Sequence, residues 1–186
     1  MKLVLGSKSP GRRHVLESLS LEFEVMSADI DEKAIRDPDP GQQALKLARA
    51  KSHAIRSQLR EPAILITSDQ VVAWHDEIRE KPADEAQARA FLVDYQQAAP
   101  ETVTAVVVVN TETGVEKVGL DRVQVEFSPL PKALVDELIA EGSLMHAAGG
   151  FLAQDPLLTP FLTIHGELES VMGMPKTLLH TLLDQV

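Results

Sequence analysis

The sequence predicts a mixed α/β protein built on an elongated central β-sheet with helices packed against it. Three observations lead there: helical and extended apolar patterns alternate in the first half, two long strand-like runs follow as a hairpin, and no internal repeat or low-complexity linker interrupts them. At 186 residues the chain can bury one full hydrophobic core, so residues 1–186 are expected to form a single domain.

Residues 2–5 read as a short buried strand, and Gly6-Ser7-Lys8-Ser9-Pro10 then turns into a helix carrying Val15, Leu16 and Leu19. Proline suits the first turn of that helix, with Ser9 before it as the cap. Residues 23–26 form a second strand, followed by the acidic loop Ala28-Asp29-Ile30-Asp31-Glu32. After Pro38-Asp39-Pro40-Gly41, residues 42–59 place Ala44, Leu45, Leu47, Ala48 and Ile55 at helical spacing. Residues 63–67 are a strand that Ser68-Asp69-Gln70 interrupts and residues 71–74 resume. A turn at His75-Asp76-Glu77 and a helix over residues 82–98 come next. Residues 102–110 and 115–127 flank Thr113-Gly114 as a hairpin. Residues 131–140 form a helix between Pro131 and Gly142, residues 161–164 a strand, and the last helix begins near Lys176.

A net charge of −10 opposes binding to a nucleic acid polymer, which demands a basic surface. With no cysteine, thiol catalysis and cysteine–zinc sites are excluded. The first apolar run, Leu3-Val4-Leu5, is far too short for a signal peptide, and no later run reaches membrane-spanning length; a cytoplasmic protein is expected.

Three groups could carry chemistry. Gly6-Ser7-Lys8-Ser9-Pro10-Gly11-Arg12-Arg13 offers hydroxyls, backbone N–H groups and cations to a phosphate, although an ordinary capped helix with solvated arginines fits the same residues. Asp31, Glu32 and Asp69 follow strands, where carboxylates can hold Mg²⁺ and orient water; a solvated loop and a turn residue are the plainer alternatives. Lys51 and Lys81 suit phosphate oxygens, or simply solubilise. Trp74, the single tryptophan, could stack on a base or belong to the core.

Taken in order, Ser7-Lys8-Ser9-Pro10-Gly11-Arg12-Arg13, Ala28-Asp29-Ile30-Asp31-Glu32, Ala48-Arg49-Ala50-Lys51, Ser68-Asp69-Gln70-Val71-Val72, Glu80-Lys81-Pro82, Ala148-Gly149-Gly150-Phe151 through Gln154, and Val171-Met172-Gly173-Met174-Pro175 resemble the Maf-like proteins over nearly the whole chain. The resemblance implies an ITPase-like fold, two lobes with a cleft between them. It also implies hydrolysis of a nucleoside triphosphate to monophosphate and pyrophosphate with Mg²⁺, Mn²⁺ or Co²⁺. By position it implies Asp69 as general base, Glu32 and Asp69 as metal ligands, and Ser7, Arg13, Lys51 and Lys81 as triphosphate ligands. Gln70 and Gln154 would select the base.

Gly11 stands where the family usually carries arginine, a position also tied to substrate choice; Arg12 is the cation that could substitute. Ser-Asp-Gln resembles the subgroup acting on 7-methyl-GTP, whereas Gln154 resembles the dTTP/UTP subgroup. A nucleotide-binding regulator of septum formation with little catalysis is the alternative from another class. The family resemblance also implies a homodimer.

Overall fold

The computed structural model describes residues 1–186. A seven-stranded mixed sheet runs through it: β1 (Lys2–Leu5), β2 (Glu24–Val25), β3 (Ala63–Trp74), β4 (Glu77–Arg79), β5 (Glu101–Asn110), β6 (Glu116–Phe127) and β7 (Leu162–His165). The spatial order is β2-β1-β3-β5-β6-β7, with β4 paired to the far end of β3. β1 is parallel to both β2 and β3, and every other pairing is antiparallel. Six helices complete the fold: α1 (Pro10–Ser18), α2 (Pro40–Arg56), α3 (Glu85–Tyr95), α4 (Lys132–Ala140), α5 (Leu168–Val171) and α6 (Lys176–Leu183).

Parallel strands require crossovers that cover the sheet on both faces. Accordingly Val4, Leu5, Leu65 and Ile66 are all fully buried. Ala44, Ala48 and Ile55 of α2 cover one face together with Val4, Leu65 and Val71. Val15 and Leu16 of α1 and Leu179 and Leu182 of α6 cover the other with Leu5, Ile66 and Val106. A third apolar group joins α3 and α4 to the distal half of β6, around Phe91, Tyr95, Phe127 and Phe151. The expected α/β sheet flanked by helices is present.

Several boundaries differ from expectation. β3 is one unbroken strand of 12 residues, because Ser68, Asp69 and Gln70 pair with Val106, Ala105 and Thr104 of β5 and their polar side chains find partners. β2 holds only Glu24 and Val25. α2 begins at Pro40, where the Asp39 carboxylate accepts from the Gln42 amide at 2.7 Å, and it stops at Arg56. α3 ends at Tyr95, short of Ala98, and the short helix α5 carries no apolar period long enough to announce it.

Candidate active site

β1 ends opposite Ile66, while β4 begins pairing at Val72. Residues 67–71 of β3 therefore have β5 on one side and no strand on the other. Gly6 leads the chain across this opening: its amide donates to the Ile66 carbonyl at 2.7 Å, and a Cβ there would stand 2.5 Å from Thr67 Cγ2. Ser68, Asp69 and Gln70 line the gap.

Side chains alternate across a strand. Leu65 and Val71 pack toward α2, and Thr67 Oγ1 donates to the Ala48 carbonyl at 2.9 Å, so Asp69 points the same way. Lys51 lies three residues beyond Ala48 on α2 and meets it. The Lys51 ammonium donates to Asp69 Oδ1 and stands 3.0 Å from Glu32 Oε1. Glu32 is delivered by a 3₁₀ turn, Glu32–Ala34, that Asp31 caps by accepting from the Lys33 amide at 3.1 Å. Asp69 is 7% exposed, so its charge is held mainly by Lys51.

Arg12 lies near this cluster. Its Nη1 donates to Ser7 Oγ at 3.3 Å and its Nε to the Gly173 carbonyl at 3.1 Å. Burial pulls the guanidinium below its ordinary pKa, and the carboxylates of Asp69 and Glu32 oppose that shift. Ser7 Oγ also accepts from the Ser9 amide at 3.2 Å, which fixes the hydroxyl at the entrance to α1.

Other expected site residues lie elsewhere. Arg13 is exposed and pairs with Glu17 at 2.7 Å, because adjacent helix positions diverge by about 100° and Arg12 takes the inward one. Gln70 falls on the face opposite Asp69, where Nε2 donates to Thr104 Oγ1 at 2.9 Å and to the Ser170 carbonyl at 2.8 Å. Both amide hydrogens are thus used within the protein. Gln154 and Lys81 are exposed. The segment bearing Lys81 is pinned by the Gly149 amide, which donates to the Glu80 carbonyl at 3.0 Å. Gly11 sits in the first turn of α1, and a Cβ there would stand 3.0 Å from the Met172 carbonyl oxygen. Trp74 is taken up by Arg79, whose guanidinium lies 3.9 Å from the ring centroid.

Sequence reasoning quoted Ser68 and Gly173 within family segments but gave neither a role. Ser68 Oγ donates to the Gly173 carbonyl at 2.8 Å, the same oxygen that receives Arg12. Gly173 has φ +91°, a backbone state that favours glycine, so the Met-Gly-Met-Pro sequence was the available signal.

Two carboxylates from separate elements already converge on one cation, and no third acidic or histidine side chain joins them. Such hard oxygen donors suit Mg²⁺ or Mn²⁺, with phosphates and water filling the remaining positions. The donor set therefore fits a divalent ion carried in with a phosphorylated ligand.

Residues 2–186 match the family described as Maf-like protein. The chain belongs to that family. This Maf-like protein is 41% identical to a 7-methyl-GTP pyrophosphatase of Dictyostelium discoideum, over 99% of this chain and 96% of the relative. It is 30% identical to a 7-methyl-GTP pyrophosphatase of Vibrio vulnificus, covering 99% and 94%. A dTTP/UTP pyrophosphatase of Desulforamulus reducens is 32% identical, covering 93% and 90%. Among solved structures, a HAM1 protein from Coxiella burnetii shares the fold, with TM-score 0.52, 16% identity and full coverage of both chains.

Proposed function

We propose that this Maf-like protein is a nucleoside triphosphate pyrophosphatase that acts by preference on 7-methyl-GTP in the cytoplasm. The observation that carries the reading is the meeting of Asp69, Glu32 and Lys51 beside the open edge of β3, with Arg12 bonded to Ser7 and Gly173 within electrostatic reach of both carboxylates. The preference for 7-methyl-GTP rests on the 41% identity to the Dictyostelium discoideum relative, against 32% for the dTTP/UTP relative.

The chemistry follows from the charges. Asp69 accepts a proton from water, the water oxygen bonds to the α-phosphorus, and the bridging P–O bond to the β-phosphate breaks to release pyrophosphate. Arg12 and Ser7 face the phosphates with a guanidinium and a hydroxyl, and Lys51 offers an ammonium that neutralises developing charge. Glu32 and Asp69 would hold the divalent ion, which spreads charge over the phosphate oxygens when bound. Alignment of water and phosphate by these groups, rather than covalent catalysis, accounts for the rate.

The test is pyrophosphate release from 7-methyl-GTP, GTP, dTTP and UTP with Mg²⁺ or Mn²⁺. Release should be fastest from 7-methyl-GTP, and Asp69→Asn should lower it by about 100-fold or more. Full activity in Asp69→Asn would remove the assigned base. Faster release from dTTP or UTP would move the substrate to the pyrimidine class, and tight binding without turnover of any nucleotide would favour a regulator.

A further inference from the structure

Two surface segments carry groups suited to one triphosphate: residues 28–36 bear Glu32, and residues 80–82 bear Lys81. Neither belongs to the strand pairing that holds Asp69, so their separation has to be set by other contacts. The structure shows one hydrogen-bonded or ionic contact between them. The Arg36 guanidinium meets the Glu80 carboxylate, with Nη1 3.2 Å from Oε1 and Nη2 3.5 Å from Oε2. These partners are 44 residues apart in sequence.

Each end of the contact is anchored on its own side. Arg36 Nη1 donates to the Glu32 carbonyl at 3.0 Å and to the Ile35 carbonyl at 2.9 Å, which folds the guanidinium back over the turn that delivers Glu32. Buried Gln43 of α2 donates Nε2 to the same Ile35 carbonyl at 2.9 Å, and Asp37 pairs with Lys46 of α2 at 2.6 Å. On the other side, the Glu80 carbonyl accepts from the Gly149 amide at 3.0 Å. Arg79 before it is buried and donates Nη2 to Asp94 at 2.7 Å. Pro82 beyond Lys81 is buried so close to Gly150 that a Cβ on that glycine would stand 2.9 Å from Pro82 Cγ. Lys81 is therefore carried on a held backbone with its side chain exposed.

We propose that Arg36 is a positioning residue: through Glu80 it keeps the turn bearing Glu32 and the segment bearing Lys81 at a set separation, as one clasp for the triphosphate. The proposal rests on the pyrophosphatase reading, in which Glu32 holds the ion and Lys81, by its place in the family pattern, holds a phosphate of the same nucleotide. A planar guanidinium suits the task, because its fork fixes direction as well as distance. Both Nη1 hydrogens are taken up by backbone carbonyls, which favours positioning over direct contact with phosphate. An exposed pair adds little to global stability, so loss of the clasp should appear in local motion and in substrate binding rather than in unfolding.

The test uses Arg36→Ala, Glu80→Ala and the double variant, each expected to keep its Tm within about 3 °C of the wild type. Solvent exchange is measured by NMR in chelator without nucleotide. The Ala34 and Ile35 amides donate to the Asp31 and Glu32 carbonyls. Glu80→Ala removes no atom from that turn, yet it should speed their exchange about threefold or more, and Arg36→Ala should do the same to the Gly149 amide. In steady state with Mn²⁺, each single variant should raise KM for 7-methyl-GTP about fivefold with kcat within about twofold, the pattern of lost uniform binding. Glu80→Ala should add nothing in the Arg36→Ala background. Turn amides that keep the wild-type exchange rate in Glu80→Ala overturn the proposal, as does a Glu80→Ala effect of equal size in both backgrounds. A wild type that releases no pyrophosphate sinks the pyrophosphatase reading instead; the exchange measurement needs no nucleotide and still decides the link between Arg36 and Glu80.

Discussion

The Lys51 ammonium stands 3.0 Å from Glu32 and is bonded at the same time to Asp69, so one side chain of α2 neutralises carboxylates from two other elements. Lys51→Met should leave those carboxylates facing each other. Glu32 is half exposed, so the expected loss is about 1–3 kcal/mol, below that for breaking a fully buried pair. Thermal unfolding in chelator should show that loss, and added Mg²⁺ or Mn²⁺ should raise the variant's Tm more than the wild type's. Equal metal responses would mean that the carboxylates do not share a cation site.

Arg12 and Arg13 are neighbours in sequence with opposite surroundings. Arg12→Ala removes donors to Ser7 and Gly173 beside the carboxylates, and kcat/KM for the triphosphate should fall by about tenfold or more. Arg13→Ala breaks only an exposed pair with Glu17, and kcat/KM should stay within about twofold. Steady-state kinetics on the two variants separates these outcomes, and a reversal would show that Arg13 turns inward with substrate.

Replacing glycine by alanine inside a helix ordinarily stabilises by roughly 0.5–1 kcal/mol. Gly11→Ala should fail to stabilise, because its Cβ would press on the Met172 carbonyl at 3.0 Å. Gly11→Arg should lower Tm for the same reason. A rise in Tm for either variant would show that the turn at Met172 yields freely.

Glu169 supplies a pH dependence. Its carboxyl is held below the ordinary value of 4.5, first by its own backbone amide and then by Lys176, whose ammonium lies 3.1 Å away. A depressed carboxylate stabilises the fold fully above the unfolded pKa, and that contribution is lost as pH falls through the folded one. Glu169→Gln should therefore flatten the decline in stability below pH 4.5, measured by urea unfolding. An unchanged slope would mean that Glu169 is equally acidic in the unfolded chain.

Most elements were legible because their apolar periods are strong: the β5–β6 hairpin, the body of α2 and the strand at residues 63–67 stand where patterning put them, with α2 shifted at both ends. Ser68-Asp69-Gln70 misled because a polar triplet looks like a break until β5 is known to lie beside it. Once β3 is continuous, its period of two separates Asp69 from Gln70, which explains why the adjacent amide is not part of the cluster. The choice between Arg12 and Arg13 depended on helix phase relative to Ser7, and although Met-Gly-Met-Pro marks the turn at Gly173, nothing local pairs that turn with Ser68.

Asp69 is tied through its backbone register to Ala105, in the middle of the sheet, whereas Ser7, Arg12 and Glu32 arrive from turns and a helix end. In the proposed reaction the proton acceptor is therefore carried by the sheet itself, while its partners come from outside the sheet. Libraries aimed at new nucleotide selectivity should diversify residues 7–13, 28–36 and 80–82 and leave β3 untouched, since changes in β3 act directly on the backbone pairing that carries Asp69.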